Sequence, residues 1–231
     1  MSIPTSDTAT RLDAVRERIR AAEKRYGRAP GSVALLAVSK KQAAAKLRAA
    51  FAAGQTAFGE SYAQEATEKM EALGTLDIQW HFIGRIQGNK TRQIAEHFDW
   101  VHSLCDLRHA RRLSEQRPAG LSPLAACVQI HLDGKSGKAG LAPDQVADFV
   151  GACAELPRLR LAGLMTLPAP TEDEAAQRRS FRALCLLRDR LATPERPLAM
   201  LSMGMSADLE AAVAEGATLV RVGTALFGPR A

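Results

Sequence analysis

Val33-Ala-Leu-Leu-Ala-Val38 runs straight into Ser39-Lys40-Lys41. An unbroken apolar run of this length, rich in Val and Leu and closed by polar residues, suits a short strand covered on both faces. That is the condition of strands in a parallel sheet. Upstream, Asp7 to Tyr26 carries Leu12, Val15 and Ile19 at helical spacing with Arg, Glu and Lys between them, and Gly27 stands where a helix would stop. The chain therefore opens with an extra N-terminal helix, within residues 1–30, that is expected to pack on whatever the strand begins.

Downstream the same grammar repeats. Helix is expected over Gln42 to Ala53, strand over Thr56 to Gly59, helix over Ser61 to Leu73, and strand over Ile78 to Gly84. Then follow helix Asn89 to His97, strand Trp100 to Ser103, helix Leu107 to Gln116, strand Leu124 to Ile130, and helix Pro143 to Glu155, with Pro143 near its first turn. Strand Leu159 to Thr166, helix Thr171 to Leu191, strand Leu198 to Met203, helix Ala207 to Gly216, strand Thr218 to Val222 and a short last helix complete the series. Eight strands, most followed by a helix, are what a closed α/β architecture of the (β/α)8 TIM-barrel type requires, whereas an open doubly wound sheet more often has about five to seven. No linker-like stretch separates Val33 from Gly228, so residues 1–231 read as one domain.

Composition narrows the function classes. With 46% hydrophobic and 24% charged residues the chain can build a core without disulfide or metal staples. No apolar run approaches the roughly 20 residues of a membrane span. Met1 to Arg20 mixes acids with bases and lacks the apolar centre of a secretory signal, so a cytoplasmic location is expected. Cys105, Cys127, Cys153 and Cys185 form no C-x-x-C pair and have no histidine at zinc-ligand spacing, which reads as buried free thiols. The net charge of +6 leaves nucleic acid, an anionic small molecule or a basic background open. Basic residues interleave with acids in Arg11 to Lys24 and Arg178 to Arg190, without the aromatic spacing of a stacking platform, which argues against nucleic acid.

Barrels of this kind carry their sites at the C-terminal ends of the strands, and loops after the seventh and eighth often hold a phosphate. Ser202-Met-Gly-Met-Ser206 follows the seventh expected strand, with Ser206 placed as an N-cap and Gly204 allowing close backbone approach. Arg221-Val-Gly-Thr224 ends the eighth, where Gly223 and Thr224 sit between strand and helix. Two such loops suggest a phosphate cradle; the plainer alternative is that Ser206 and Thr224 only cap helices. At the first strand, alternation puts Lys40 on the face of Ala34, Leu36 and Val38 and Lys41 on the other, so one of them points into the mouth. A partly desolvated amine near cations can attack an aldehyde to form a Schiff base; two solvated lysines ahead of a helix are the alternative. His81 and His102 fall within strand stretches and read as core histidines rather than ligand contacts.

Six ordered segments then resemble one family: Leu35-Leu-Ala-Val-Ser-Lys40, Phe58-Gly-Glu-Ser-Tyr62, Trp80-His-Phe-Ile-Gly84 with Gln87, Asn89 and Lys90, Gly163-Leu-Met-Thr166, Ser202-Met-Gly-Met-Ser206 and Arg221-Val-Gly-Thr224. Together they resemble the pyridoxal phosphate homeostasis proteins over nearly the whole chain. The resemblance implies a fold-type III barrel, like the N-terminal domain of alanine racemase, that binds pyridoxal 5′-phosphate (PLP). It assigns Lys40 to the Schiff base, Ser206 with the amides of Gly223 and Thr224 to the phosphate, Arg221 to the pyridine nitrogen, and Met165 and Met203 to the cofactor wall. The chain departs from the family pattern at Ser61 and His131, each in place of an asparagine, and at Ala43 to Ala45, where a proline often follows the lysine. Lys138 and Gly140 keep a K-x-G pattern, while no role is assigned to Lys41, Lys135 or Lys138.

Whether such a site does chemistry is also partly readable. Removing an α-proton on this cofactor calls for an electron sink, usually a protonated ring nitrogen backed by a carboxylate, and racemisation for a base on each face. Arginine at the ring nitrogen cannot take up that proton, which weakens the sink, although racemases of this fold work with the same arrangement. Those racemases add a C-terminal β domain with a tyrosine base, whereas only Tyr26 and Tyr62 occur here and the sequence ends three residues after Gly228. The expectation is a monomeric PLP carrier that stores, buffers or delivers the cofactor, with PLP-dependent apo-enzymes as recipients, no nucleic acid or membrane partner, and no strong turnover. A narrow amino-acid racemase or a Schiff-base lyase is the alternative.

Overall fold

Eight short strands, β1 (Ala34–Val38), β2 (Ala57–Glu60), β3 (Gln79–Phe82), β4 (Trp100–Leu104), β5 (Leu124–Ile130), β6 (Leu159–Thr166), β7 (Met200–Ser202) and β8 (Leu219–Val222), pair in sequence order, all parallel. β8 pairs back onto β1 and closes the barrel. They are seen in a computed structural model that describes residues 5–132 and 139–228. Lys135 and Lys138 of the K-x-G region lie outside the described residues. Around the barrel run α2 (Ala44–Ala52), α3 (Ala63–Ala72), α4 (Thr91–His97), α5 (Leu107–Gln116), α6 (Val146–Ala154), α7 (Glu174–Leu191), α8 (Leu209–Ala214) and α9 (Thr224–Phe227). A helix ahead of the barrel, α1 (Thr5–Arg25), packs against α2, α8 and α9. Leu12, Val15 and Ile19 are buried there, as their helical spacing predicts.

Strands enclosed by helices on one side and the barrel interior on the other bury both faces, and every residue of β5 is buried. The main apolar core lies between strands and helices, with Phe58, Phe98, Phe181, Leu47 and Leu113 fully enclosed. Residues facing the interior follow the two-residue period: Leu36 lies level with Arg221 across the β1–β8 seam. Among the cysteines, Cys127 and Cys153 are buried but Cys105 and Cys185 only half so; all four are free thiols. No helix among the described residues is long and apolar enough to cross a membrane.

Gly163 shows how tightly β6 and β7 pack. It pairs with Met200, and a Cβ built at Gly163 would sit 1.9 Å from the Met200 carbonyl oxygen. That neighbour is backbone and cannot swing away. Gly163→Ala is therefore expected to cost about 3 kcal/mol by overpacking, read as a lowered urea midpoint; a midpoint within error of wild type would show that the strands separate freely.

Most helices begin two or three residues later than expected, and at α7 and α8 a carboxylate shows why. α7 begins at Glu174, where the Asp173 carboxylate accepts the Ala175 amide at 2.9 Å, later than Thr171. α8 begins at Leu209 rather than Ala207. The Asp208 carboxylate accepts the Met205 amide at 2.6 Å, and this local turn delays the helix. Ser206 is consequently not an N-cap.

Candidate functional site

At the C-terminal ends of β1, β6, β7 and β8 a cavity of about 300 Å³ brings together Val38, Lys40, Met165, Ser206, Arg221, Gly223 and Thr224. Ile83, Leu167, Met205 and Ala207 complete its lining. Residues spread over nearly 190 positions of sequence meet here because the barrel closes: β8 hydrogen-bonds to β1, so the end of the last strand lies beside the end of the first. A Cβ at Gly223 would lie 3.2 Å from the Val38 carbonyl oxygen, so β8 runs out close against the strand that carries Lys40. At Gly204, φ is +90° and a Cβ would meet that of Ala212 at 2.5 Å. Only glycine makes this bend, which aims Met205 and Ser206 at the mouth. Arg18 of α1 donates to the Ser206 carbonyl at 3.1 Å and to Glu210 at 2.9 Å, so the leading helix braces the same loop.

Lys40 sits second in a four-residue turn closed by the Gln42 amide donating to the Ser39 carbonyl at 3.0 Å. Of the two lysines that the alternation left open, Lys40 lines the cavity and Lys41 is exposed. Met165 is buried in the wall, but Met203 lies wholly within the apolar core and does not line the cavity. The chain turns at Gly204, so the methionine that reaches the mouth is Met205, two residues on. Ser61 lines a different cavity, beside Tyr62, Arg85 and Lys90.

Arg221 is the electrostatic centre of the site. It is 5% exposed and donates from Nη1 to Ser202 Oγ at 2.7 Å and from Nη2 to the Thr166 carbonyl at 2.9 Å. Burial lowers its pKa to about 10, still far above neutrality. Neutral groups in line help to support its charge. Ser202 Oγ lies 2.7 Å from His102 Nδ1, His102 Nε2 lies 2.8 Å from His81 Nδ1, and His81 Nε2 lies 2.9 Å from Gln79 Oε1.

The proton positions along this chain follow from its ends. Gln79 Oε1 only accepts, so His81 Nε2 carries hydrogen. Burial lowers the pKa of His81 to about 3 and drives that of His102 well below its ordinary value, so both rings are neutral with one hydrogen each. His81 Nδ1 therefore accepts from His102 Nε2, His102 Nδ1 accepts from the Ser202 hydroxyl, and Ser202 Oγ presents its lone pair to Arg221. Every dipole points the same way, negative end toward the guanidinium. A buried cation is thus solvated by aligned neutral dipoles, with the Asp208 carboxylate adding a favourable charge interaction from outside the cavity lining. The sequence reading of both histidines as core is what the geometry shows, since neither lines the cavity. Their linkage to Arg221 was not legible: β3, β4, β7 and β8 contribute one or two members each, and only the barrel brings them into line.

A family profile and a relative decide the family. The profile of the alanine racemase N-terminal domain matches residues 10–231. The pyridoxal phosphate homeostasis protein of Pseudomonas aeruginosa is 53% identical over 225 residues, covering 97% of this chain and 96% of the relative. The chain belongs to the family of pyridoxal phosphate homeostasis proteins. Another member of the family, that of Escherichia coli K12, is 45% identical over 97% of both chains. Among solved structures, PipY of Synechococcus elongatus with PLP bound superposes with a TM-score of 0.81 at 38% identity, over 96% of this chain and 100% of PipY. Alanine racemase of Corynebacterium glutamicum, at 21% identity and a TM-score of 0.66, shares the barrel; this chain covers 62% of it.

Proposed function

We propose that this chain binds PLP covalently through Lys40 and serves intracellular cofactor homeostasis by storing, buffering or delivering it, without strong turnover of its own. The observation that carries the reading is the convergence of Lys40, Ser206, Gly223, Thr224 and Arg221 on one cavity. The donor set fits the group. An amine stands at one side for an aldehyde, a hydroxyl and loop amides at another for a phosphate, and a donor-only guanidinium at the floor for a ring nitrogen that accepts. When bound, PLP supplies a reactive aldehyde conjugated to a ring able to draw electrons.

The residues favour holding over turnover. Arg221 is a permanent cation whose charge the Ser202–His102–His81 chain supports, so it donates to a ring nitrogen and gives it no proton. Carboxylates, which would favour a protonated ring, are absent from the cavity lining among the described residues. The family name carried by relatives matched over nearly their full length supports the same reading. With it go residues 1–231 as one domain, a cytoplasmic monomer, and PLP-dependent apo-enzymes as recipients. A racemase or lyase is the second reading, favoured by a cavity of about 500 Å³ that shares Ile83 and Leu167 with the first and leaves room for an amine substrate.

Loading the protein with one equivalent of PLP, reducing with borohydride and mapping peptides is expected to place the adduct on Lys40. An adduct on another lysine, or none, overturns the proposal. Rapid α-deuterium exchange into a panel of L-amino acids, faster than about one per second, would favour the second reading.

A further inference from the structure

The residues on either side of Lys40 are tied to one buried cluster that lies outside the cavity. Lys69, on α3, is buried and its ammonium has three protons to donate. All three are used: one to the Ser39 carbonyl at 2.7 Å, one to Glu60 Oε1 at 2.7 Å, and one to Glu65 Oε1 at 2.6 Å. Glu60 Oε1 also accepts the Ser39 hydroxyl at 2.6 Å, and Glu65 Oε1 accepts the Lys41 amide. Ser39 is thus held at its carbonyl, its hydroxyl and its amide, the last donating to Gly59 at 3.0 Å.

Lys41 needs such a hold. Its φ is +59°, a left-handed conformation that glycine or asparagine usually supplies at the third position of a turn. A lysine stays there only if its surroundings impose it, and the Glu65 carboxylate grips its amide directly. The turn Ser39–Gln42, with Lys40 inside it, is therefore anchored at both flanks through one ammonium.

We propose that Lys69 is a positioning residue for Lys40: through Ser39 on one side and Glu65–Lys41 on the other, it fixes the backbone from which the Lys40 amine enters the cavity. This rests on the assignment of Lys40 as the residue that captures PLP. The cluster also explains why a carboxylate can sit fully buried at the end of β2. Burial pushes the Glu60 carboxyl up, its Oε2 has no partner among the described residues, and Lys69 is what holds its charge in place.

Removing Lys69 leaves that carboxylate unpaired and endangers folding, so the cleaner variant is at Glu65, a half-buried residue on the outer helix. Wild type, Glu65→Ala, Glu65→Gln and Lys69→Met would be compared without cofactor by thermal unfolding and by hydrogen exchange across Ser39–Gln42. The rate at which added PLP becomes reducible onto Lys40 would then be followed by mass spectrometry. Glu65→Ala is expected to unfold near the wild-type temperature, to exchange the Lys41 amide faster, and to capture PLP about tenfold more slowly, as misplacement of a reacting group does. Glu65→Gln, which keeps an acceptor for that amide, should restore most of the rate, and Lys69→Met should lose at least as much as Glu65→Ala. Capture at the wild-type rate in a folded Glu65→Ala protein overturns the proposal, with or without faster exchange. If wild type itself labels a residue other than Lys40, the assignment of Lys40 has failed and the proposal falls with it, a result that the wild-type control identifies.

Discussion

Lys40→Ala is expected to abolish covalent PLP capture while leaving the barrel folded. Lys40 is half-buried in a cavity wall rather than packed in the core, and the turn around it is held by backbone and neighbouring side chains. The thermal midpoint should therefore move little, as for substitutions away from core and buried polar networks. Binding should change far more. Without the amine, PLP keeps only the contacts that Ser206, the two loop amides and Arg221 offer, and affinity is expected to fall by about two orders of magnitude, near 3 kcal/mol. Equilibrium dialysis at graded PLP concentrations measures the loss, and the visible absorbance of the covalently held cofactor should vanish. Visible absorbance that survives Lys40→Ala at wild-type intensity would mean that another amine holds the cofactor.

Acid should weaken this fold well before its carboxylates titrate. His81 is neutral in the folded chain down to about pH 3, and His102 is held below its ordinary range as well, both by burial. A solvated histidine titrates at about pH 6.5, so between that pH and about 3 the unfolded chain takes up protons that folded His81 refuses. Stability is then complete above about pH 6.5 and falls as pH drops, by about 1.4 kcal/mol per unit for each histidine. For His81 alone, moving from pH 7 to pH 5 is expected to cost about 2 kcal/mol, and His102 acts in the same direction, against the 5–15 kcal/mol that domains usually have. Glu60 works the other way, since its raised carboxyl takes up a proton more readily folded than unfolded. Urea unfolding at pH 7.5 and 5.0 measures the difference, and His81→Gln should reduce it by about 2 kcal/mol. The same pH dependence in wild type and in His81→Gln would rule out a neutral buried His81.

How much of this was legible beforehand depends on the range of the forces involved. The run Val33–Val38, the alternating strand and helix patterns, and the position of Lys40 at a strand end are local features, and they led to a closed barrel with a lysine at its mouth. Helix starts were less legible: a single carboxylate, Asp208, postpones α8 by capturing the Met205 amide, and so frees Ser206 from the capping role its composition suggested. Met203 and Met205 have the same chemistry two residues apart, and only the bend at Gly204 decides which of them meets the cavity.

The order of apolar and polar residues along the chain was enough to establish the number of strands, their burial on both faces and the placing of the site at their C-terminal ends, because each depends on periodicities of two and 3.6 residues. What belonged to the tertiary structure was partnership. Lys69 could not be joined to Ser39, nor Gln79 through two histidines and a serine to Arg221, until eight strands had closed in register. A hydrogen bond is made across about 3 Å of space, and closure of the barrel brings His102 and Ser202, one hundred positions apart, within that reach.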